Sequence, residues 1–249
     1  YFCCNGEGNF SINLSELNMS INFSTSFLIN FKIGKINVVK NKKIESNLIK
    51  INFSNGSSMS VDLEYPTNLI VKGINNSSLK TLPQNEWINL ILILTGAEKK
   101  LNLYFLINGE NQLSPLKYPT DSLNYKDNID NIQFFNNFYG EVSSISMITQ
   151  NKDFESSSVP PAEFLSEFKS YKEGLWKRRR ISNFIELLKK TNASRKNSLN
   201  LIFSFTPLNK VYNNNENIIQ SLSGNLVLKY NGNIRLHNYQ CYQKKLFLV

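Results

Sequence analysis

Histidine is all but missing, for His237 is the single one in 249 residues. That scarcity excludes histidine-rich metal clusters and histidine pairs. A Ser-His-Asp or Cys-His nucleophile would have to rest on this one imidazole, which has no signature around it. Cysteine is nearly as scarce. Cys3, Cys4 and Cys241 fit no zinc-ligand spacing, and an odd number so unevenly spread makes no disulfide framework. Reduced thiols are therefore the expectation. Sequons at Asn9, Asn18, Asn22, Asn52, Asn76 and Asn192 point the other way. Such triplets arise by chance in a chain this rich in Asn and Ser, and several fall inside expected strands. Glycines form no phosphate-cradling loop, since Gly6-Glu7-Gly8 is too short and lacks the strand-then-helix context. No apolar run nears the roughly 18 residues of a membrane-spanning helix; the longest, Ile88 to Leu94, has strand length. Tyr1 stands in place of an initiator Met and Leu246 to Val249 end on an apolar run, so a piece of a longer protein is expected.

Acidic residues are also badly placed for chemistry. A sandwich can hydrolyse glycosides with paired carboxylates, but no Glu-x-Asp-x-Glu run lies in the apolar strands. Asp127-Asn128-Ile129-Asp130, with Asp121 and Asp153, faintly suggests calcium ligands, yet scattered Asp and Asn are ordinary turn chemistry. The expectation is a non-enzymatic protein with no cofactor, no metal and no catalytic residue.

What is present is a core and a strand rhythm. Hydrophobic residues make up 41% and charged residues 19%, enough apolar mass to exclude global disorder. Alternation runs through Phe10, Ile12 and Leu14, then Ile21, Phe23, Phe27, Ile29, Phe31 and Ile33, so residues 10 to 33 read as strands. Leu48 to Phe53, ending at Asn55-Gly56, and then Met59, Val61 and Leu63 continue the pattern. Trp87 to Leu94 is almost continuously apolar, as in a strand buried on both faces, and Trp87 reads as a core residue. Leu101 to Ile107 closes at Asn108-Gly109, a dipeptide that tolerates hairpin angles. Later strands are expected at 132–135, 142–148, 199–205, 226–230 and 234–237. Many short strands between Asn, Gly and Ser turns predict an all-β antiparallel sandwich or jelly roll, a single domain over 1–249.

One segment breaks the pattern. Ser157 or Ser158 can cap a helix with Pro160 and Pro161 in its first turn. Phe164, Phe168, Tyr171 and Leu175 then fall on one helical face, and Ile181, Phe184, Ile185 and Leu188 on another. This predicts a helical crossover over 159–193 packed on the sandwich, anchored by Trp176 beside the arginines. Residues 172–196 hold nine basic and two acidic side chains, a local charge of +7 in a chain whose total is +9. Lys177, Arg178, Arg179, Arg180, Lys189 and Lys190 are the candidate binding residues. A solvated helix face is the plain alternative. An anionic phospholipid surface fits next, because clustered Lys and Arg gain roughly 1 kcal/mol each near acidic lipid. Acidic protein partners come after it. Nucleic acid fits poorly, since its binding surfaces interleave exposed aromatics with the cations.

Several motifs occur in a familiar order. Phe10-Ser11-Ile12-Asn13-Leu14 is similar to an opening strand, and Phe23 to Ile29 to the strand after it, although Phe27 stands where Trp is frequent. Trp87-Ile88-Asn89-Leu90, Leu103 to Gly109, and Phe138-Tyr139-Gly140-Glu141-Val142 to Ile145 follow. Last comes Leu199 to Pro207 after the helical stretch. Together they resemble the concanavalin A-like (laminin-G-like) domain of the neurobeachin/beige family of BEACH proteins, over nearly the whole chain. The resemblance implies a binding or scaffolding domain within a large intracellular protein of vesicle and endolysosomal traffic. Its location would be cytoplasmic and peripheral on endosomal, vacuolar or vesicle membranes. Its partners would be proteins or other domains of the same chain, and carbohydrate would be an improbable ligand. No catalytic residue is implied. The rival expectation is a glycan-binding, lectin-like module, which oxidised cysteines and used sequons would favour.

Overall fold

The computed structural model describes residues 1–19, 25–34, 45–65, 67–72, 78–97, 100–108, 110–111, 116–118, 127–150, 199–205, 217–221 and 226–236. Alternating apolar residues draw these into short strands, in chain order β1 (Phe2–Asn5), β2 (Phe10–Asn13), β3 (Thr25–Ile33), β4 (Glu45–Phe53) and β5 (Ser58–Glu64). Next come β6 (Asn68–Val71), β7 (Ser78–Thr81), β8 (Trp87–Ala97), β9 (Lys100–Ile107), β10 (Glu110–Asn111) and β11 (Leu116–Tyr118). The last are β12 (Ile129–Asn136), β13 (Tyr139–Gln150), β14 (Leu199–Phe205), β15 (Ile218–Gln220), β16 (Val227–Tyr230) and β17 (Ile234–Leu236).

They form two antiparallel sheets, so the chain is an all-β sandwich. The nine-stranded sheet runs β10-β9-β8-β3-β13-β1-β17, with β11 also against β9 and β14 also against β13. The eight-stranded sheet runs β15-β16-β2-β12-β4-β5-β6-β7. The chain passes between sheets repeatedly, so neighbours in space are often distant in sequence; Phe2 of β1 lies opposite Leu236 of β17. The strands expected within 10–33 are β2 and β3, with a turn after the first. Ser15–Leu17 is a single 3-10 turn and Asn18 is left-handed at φ 47°; residues 20–24 lie outside the described residues. The helical crossover expected over 159–193 lies outside them too.

Inward side chains from both sheets meet in one core. Phe27, Ile29, Phe31 and Ile33 of β3 face Phe134 and Phe135 of β12, and all are buried. Phe31 packs edge-on against Phe135 at 5.5 Å and Phe138 at 5.7 Å between ring centroids, and Phe135 and Phe138 lie 4.9 Å apart. These spacings fit the edge-to-face preference of aromatic pairs. Phe135 takes φ 54°, a conformation costly for a bulky residue. It turns β12 toward β13 while keeping its ring in the core, so burial offsets the strain.

Three chain crossings between the sheets meet beside that cluster. The β1–β2 link, the β12–β13 link and the β16–β17 link are hydrogen-bonded to one another. Gly6 N donates to Phe138 O at 2.9 Å, Asn137 N to Gly8 O at 3.2 Å, and Asn233 N to Glu7 O at 2.9 Å. Asn9 N donates to Asn231 Oδ1 at 2.9 Å. A fourth tie joins the sheets nearby, where the Tyr65 hydroxyl accepts from Tyr139 N at 2.6 Å.

Candidate functional site

The two sheets present chemically different outer faces. On the eight-stranded sheet, side-chain amides run across β12, β4 and β5 in hydrogen-bonded chains. Asn136 Nδ2 donates to Asn47 Oδ1 at 3.1 Å and Asn47 Nδ2 to Asp62 Oδ1 at 2.7 Å. Asn52 Nδ2 donates to Asn131 Oδ1 at 2.7 Å, so the amide that a glycan on the Asn52 sequon would need is already engaged. Asp62 is 0% exposed, and its other oxygen faces Lys72 Nζ at 3.3 Å. Lys72 also reaches Glu45 at 2.8 Å, and the hydrogen bond to Glu45, with Asp62 behind it, raises the ammonium above its usual range. An open groove of about 450 Å³ lies at the β15–β16–β2 edge of this sheet, lined by Ser11, Lys229 and Tyr230 among others.

The outer face of the nine-stranded sheet is apolar at its centre and polar along one row. Lys32 of β3 lies opposite Glu141 of β13, Glu141 opposite Cys3 of β1, and Cys3 opposite Arg235 of β17. Glu141 is 2% exposed and its Oε1 has no hydrogen-bond partner. Burial pushes its carboxyl pKa upward, against the pull of Lys32. A carboxyl whose folded pKa is raised binds its proton more readily in the folded state, so its contribution to stability falls as pH rises through that range. Glu141→Gln should therefore stabilise the protein by about 1 kcal/mol at neutral pH. The gain should vanish below the ordinary carboxylate range, where Glu141 is protonated folded or unfolded. Urea melts at both pH values read this directly, and an equal gain at both would refute the account.

Trp87 needs correction. The inward phase of β8 is carried by Ile88, Leu90, Leu92 and Leu94, which turns Trp87 to the outer face. There it is half-buried and meets Tyr1 edge-on at 6.0 Å. The thiol expectation also changes. Cys3 is disulfide-bonded, whereas Cys4 is a buried free thiol whose pKa burial drives far upward. Strand alternation sends these neighbours to opposite faces, with Cys4 in the core and Cys3 outside it. Cys241 lies outside the described residues.

Lys177, Arg178, Arg179, Arg180, Lys189 and Lys190 all lie outside the described residues, as do His237, Trp176, Asp121 and Asp153. In sequence the six cations fall between Gln150 and Leu199, and these two residues are Cα partners in adjacent strands. Among the described residues no three His, Cys, Asp or Glu side chains converge. Asp130 Oδ2 accepts from Asn131 Nδ2 at 2.9 Å and Asn128 Nδ2 donates to Asn18 Oδ1 at 3.3 Å, which is local turn bonding. The buried carboxylates Asp62 and Glu141 belong to opposite sheets. Neither was legible as special, because each occupies an ordinary polar position in an alternating strand. No described helix is long and apolar enough to cross a membrane.

No protein-family model matches the chain, and comparison with curated proteins gives no match. Among solved structures, a Trypanosoma rangeli sialidase in complex with 2,3-difluoro-KDN is similar at 8% identity and TM-score 0.41. The match covers 61% of this chain and 23% of the sialidase, so the chain spans under a quarter of that enzyme. A heptameric SAP-like pentraxin from Limulus polyphemus is similar at 8% identity and TM-score 0.39, over 70% of this chain and 82% of the pentraxin. The CBM40 domain of a Ruminococcus gnavus sialidase, bound to α2,3-sialyllactose, is similar at 10% identity and TM-score 0.33. That match covers 56% of this chain and 85% of the domain. With TM-scores below one half, no site carries over from any of them.

Proposed function

We propose that this sandwich is a non-catalytic binding or scaffolding domain of a BEACH-type protein acting in vesicle or endolysosomal membrane traffic, with its basic segment engaging an anionic phospholipid surface. The observation that carries the reading is the +7 charge of residues 172–196, which fall in sequence between two paired strand residues, Gln150 and Leu199. The rest of the chain carries only +2, so the net charge is concentrated in one stretch of sequence. Short-range attraction of such a cluster to acidic headgroups falls steeply with salt. Cytoplasmic location, peripheral on endosomal, vacuolar or vesicle membranes, belongs to the same reading, as do partners among other domains of a long chain.

A glycan-binding module is the second reading. The disulfide at Cys3 favours it, since such bonds persist in oxidising compartments. Pelleting with phosphoinositide-containing liposomes, run beside a glycan array, separates the two. Reversing Arg178, Arg179 and Arg180 to Glu should weaken liposome binding at least about a hundredfold, and raising salt should abolish it. Equal pelleting by both forms would overturn the first reading. A glycan bound alike by both would support the second.

A further inference from the structure

We infer that the outer face of the eight-stranded sheet, from the groove at its β15–β16–β2 edge across to β4, binds an acidic polysaccharide, with Lys229 and Lys50 pairing with sugar carboxylates. The inference rests on the second reading above and gives it a site and a ligand class. Ile219, Leu228, Ile12, Ile132 and Ile51 of these strands belong to the core, and alternation turns their neighbours outward. Register then sets the outward side chains in cross-strand rows. One runs Ile218, Lys229, Ser11, Gln133 and Lys50, and the next Asn13, Asn131 and Asn52. Apart from Ile218 every member is an ammonium, an amide or a hydroxyl, and none is a carboxylate. Lys229 and Asn13 are exposed, and the others in the two rows are half-buried, so both rows are open to solvent.

Charge and spacing select the occupant. Neither Lys229 nor Lys50 has a carboxylate partner among the described residues, in contrast to Lys72, which is held by Glu45 and Asp62. Lys229 also lines the groove of about 450 Å³ with Ser11, Asn217 and Asn231, a size in the range of small-ligand sites. Asn231 Oδ1 accepts from Asn9 N, which orients the amide and leaves its Nδ2 free among the described residues. One ammonium beside neutral amides and a hydroxyl matches a monoanion that itself carries hydroxyls. Lys229 and Lys50 stand on strands three steps apart, across β2 and β12, which is about 14 Å at about 4.8 Å per step. One step is close to the length of a sugar residue. A polyuronate laid across the strands therefore brings a carboxylate to each lysine, with ring hydroxyls over Ser11 and Gln133 between them. The Asn52 to Asn131 bond holds the second row ready beside it. An acidic peptide offers the carboxylates without the ring hydroxyls.

Titration calorimetry on the full chain tests it, with an oligogalacturonate, a neutral galacto-oligosaccharide of the same length and a glutamate peptide of the same charge. The uronate should bind most tightly. Lys229→Gln and Lys50→Gln should each weaken it about tenfold, as the loss of one charge-assisted bond, and leave the affinity for the neutral sugar unchanged. Lys80→Gln removes the same charge at the far edge of the sheet, on β7, and should change neither. The losses should recur when Arg178, Arg179 and Arg180 are reversed to Glu, which removes the basic segment as their source. Uronate binding that ignores both lysines would overturn the site and leave the glycan reading standing. Equal or tighter binding of the neutral sugar would do the same. A glutamate peptide bound as well as the uronate would overturn the ligand class, and binding of no sugar at all would overturn both the site and the glycan reading.

Discussion

Replacing Phe31 by alanine should lower the free energy of unfolding by about 3–5 kcal/mol. The residue is fully buried and its ring touches both Phe135 and Phe138 from the opposite sheet and its corner. Truncation removes the transfer energy of the ring and leaves a cavity that two strained or cornered neighbours cannot collapse into. Phe135 is held at positive φ by the same cluster, so losing the contact also releases what offsets that strain. Urea melts read the effect as a lower midpoint with an unchanged slope. A loss under about 1 kcal/mol would mean that the two sheets are not joined through this ring.

Gly8→Ala should cost about 3 kcal/mol or more. Gly8 sits at φ +114°, and a Cβ there would lie 2.1 Å from the backbone oxygen of Asn231. That oxygen belongs to the β16–β17 crossing, while Gly8 belongs to the β1–β2 crossing and accepts from Asn137 of the third. One methyl group therefore pushes on the place where these three crossings meet. Gly56→Ala is the matched control, because Gly56 has φ +83° but nothing within 4 Å of the added carbon. It should cost only the backbone strain, about 1 kcal/mol. Equal losses at the two glycines would show that the crossings do not interlock.

Much of the sandwich was legible because its strands obey a two-residue rhythm. The runs predicted at 48–53, 87–94, 101–107 and 199–205 correspond to β4, β8, β9 and β14. The continuous apolar run of β8 also signalled burial on both faces, which the outer patch of Ile91 and Ile93 displays. Phase was harder to read than period. In a strand apolar at almost every position nothing marks which residues point inward, and Trp87 was accordingly placed in the core when it faces out. The short strands β7, β10, β11 and β15 are held by their neighbours in the sheet rather than by their own composition. Asp62 is harder still. Its sequence context is that of any outward polar residue, and its burial arises from Asn47 on β4 and from Lys72, just beyond β6. The candidate basic residues were conspicuous for the opposite reason, since charge clusters are visible without any fold.

The pairing of β1 with β17 fixes an order of events during synthesis. Phe2 cannot meet Leu236 until more than two hundred further residues have been made. At about 5–20 residues per second, β1 must wait for many seconds. Its other neighbour, β13, arrives earlier, at Tyr139 to Val142, so a two-sheet intermediate can close around β3, β13 and β1 with one side of β1 still open. That bare edge is a template for pairing with another chain. Long-range closure of this kind is slow, and β17 has the further role of sealing an edge that every nascent copy exposes.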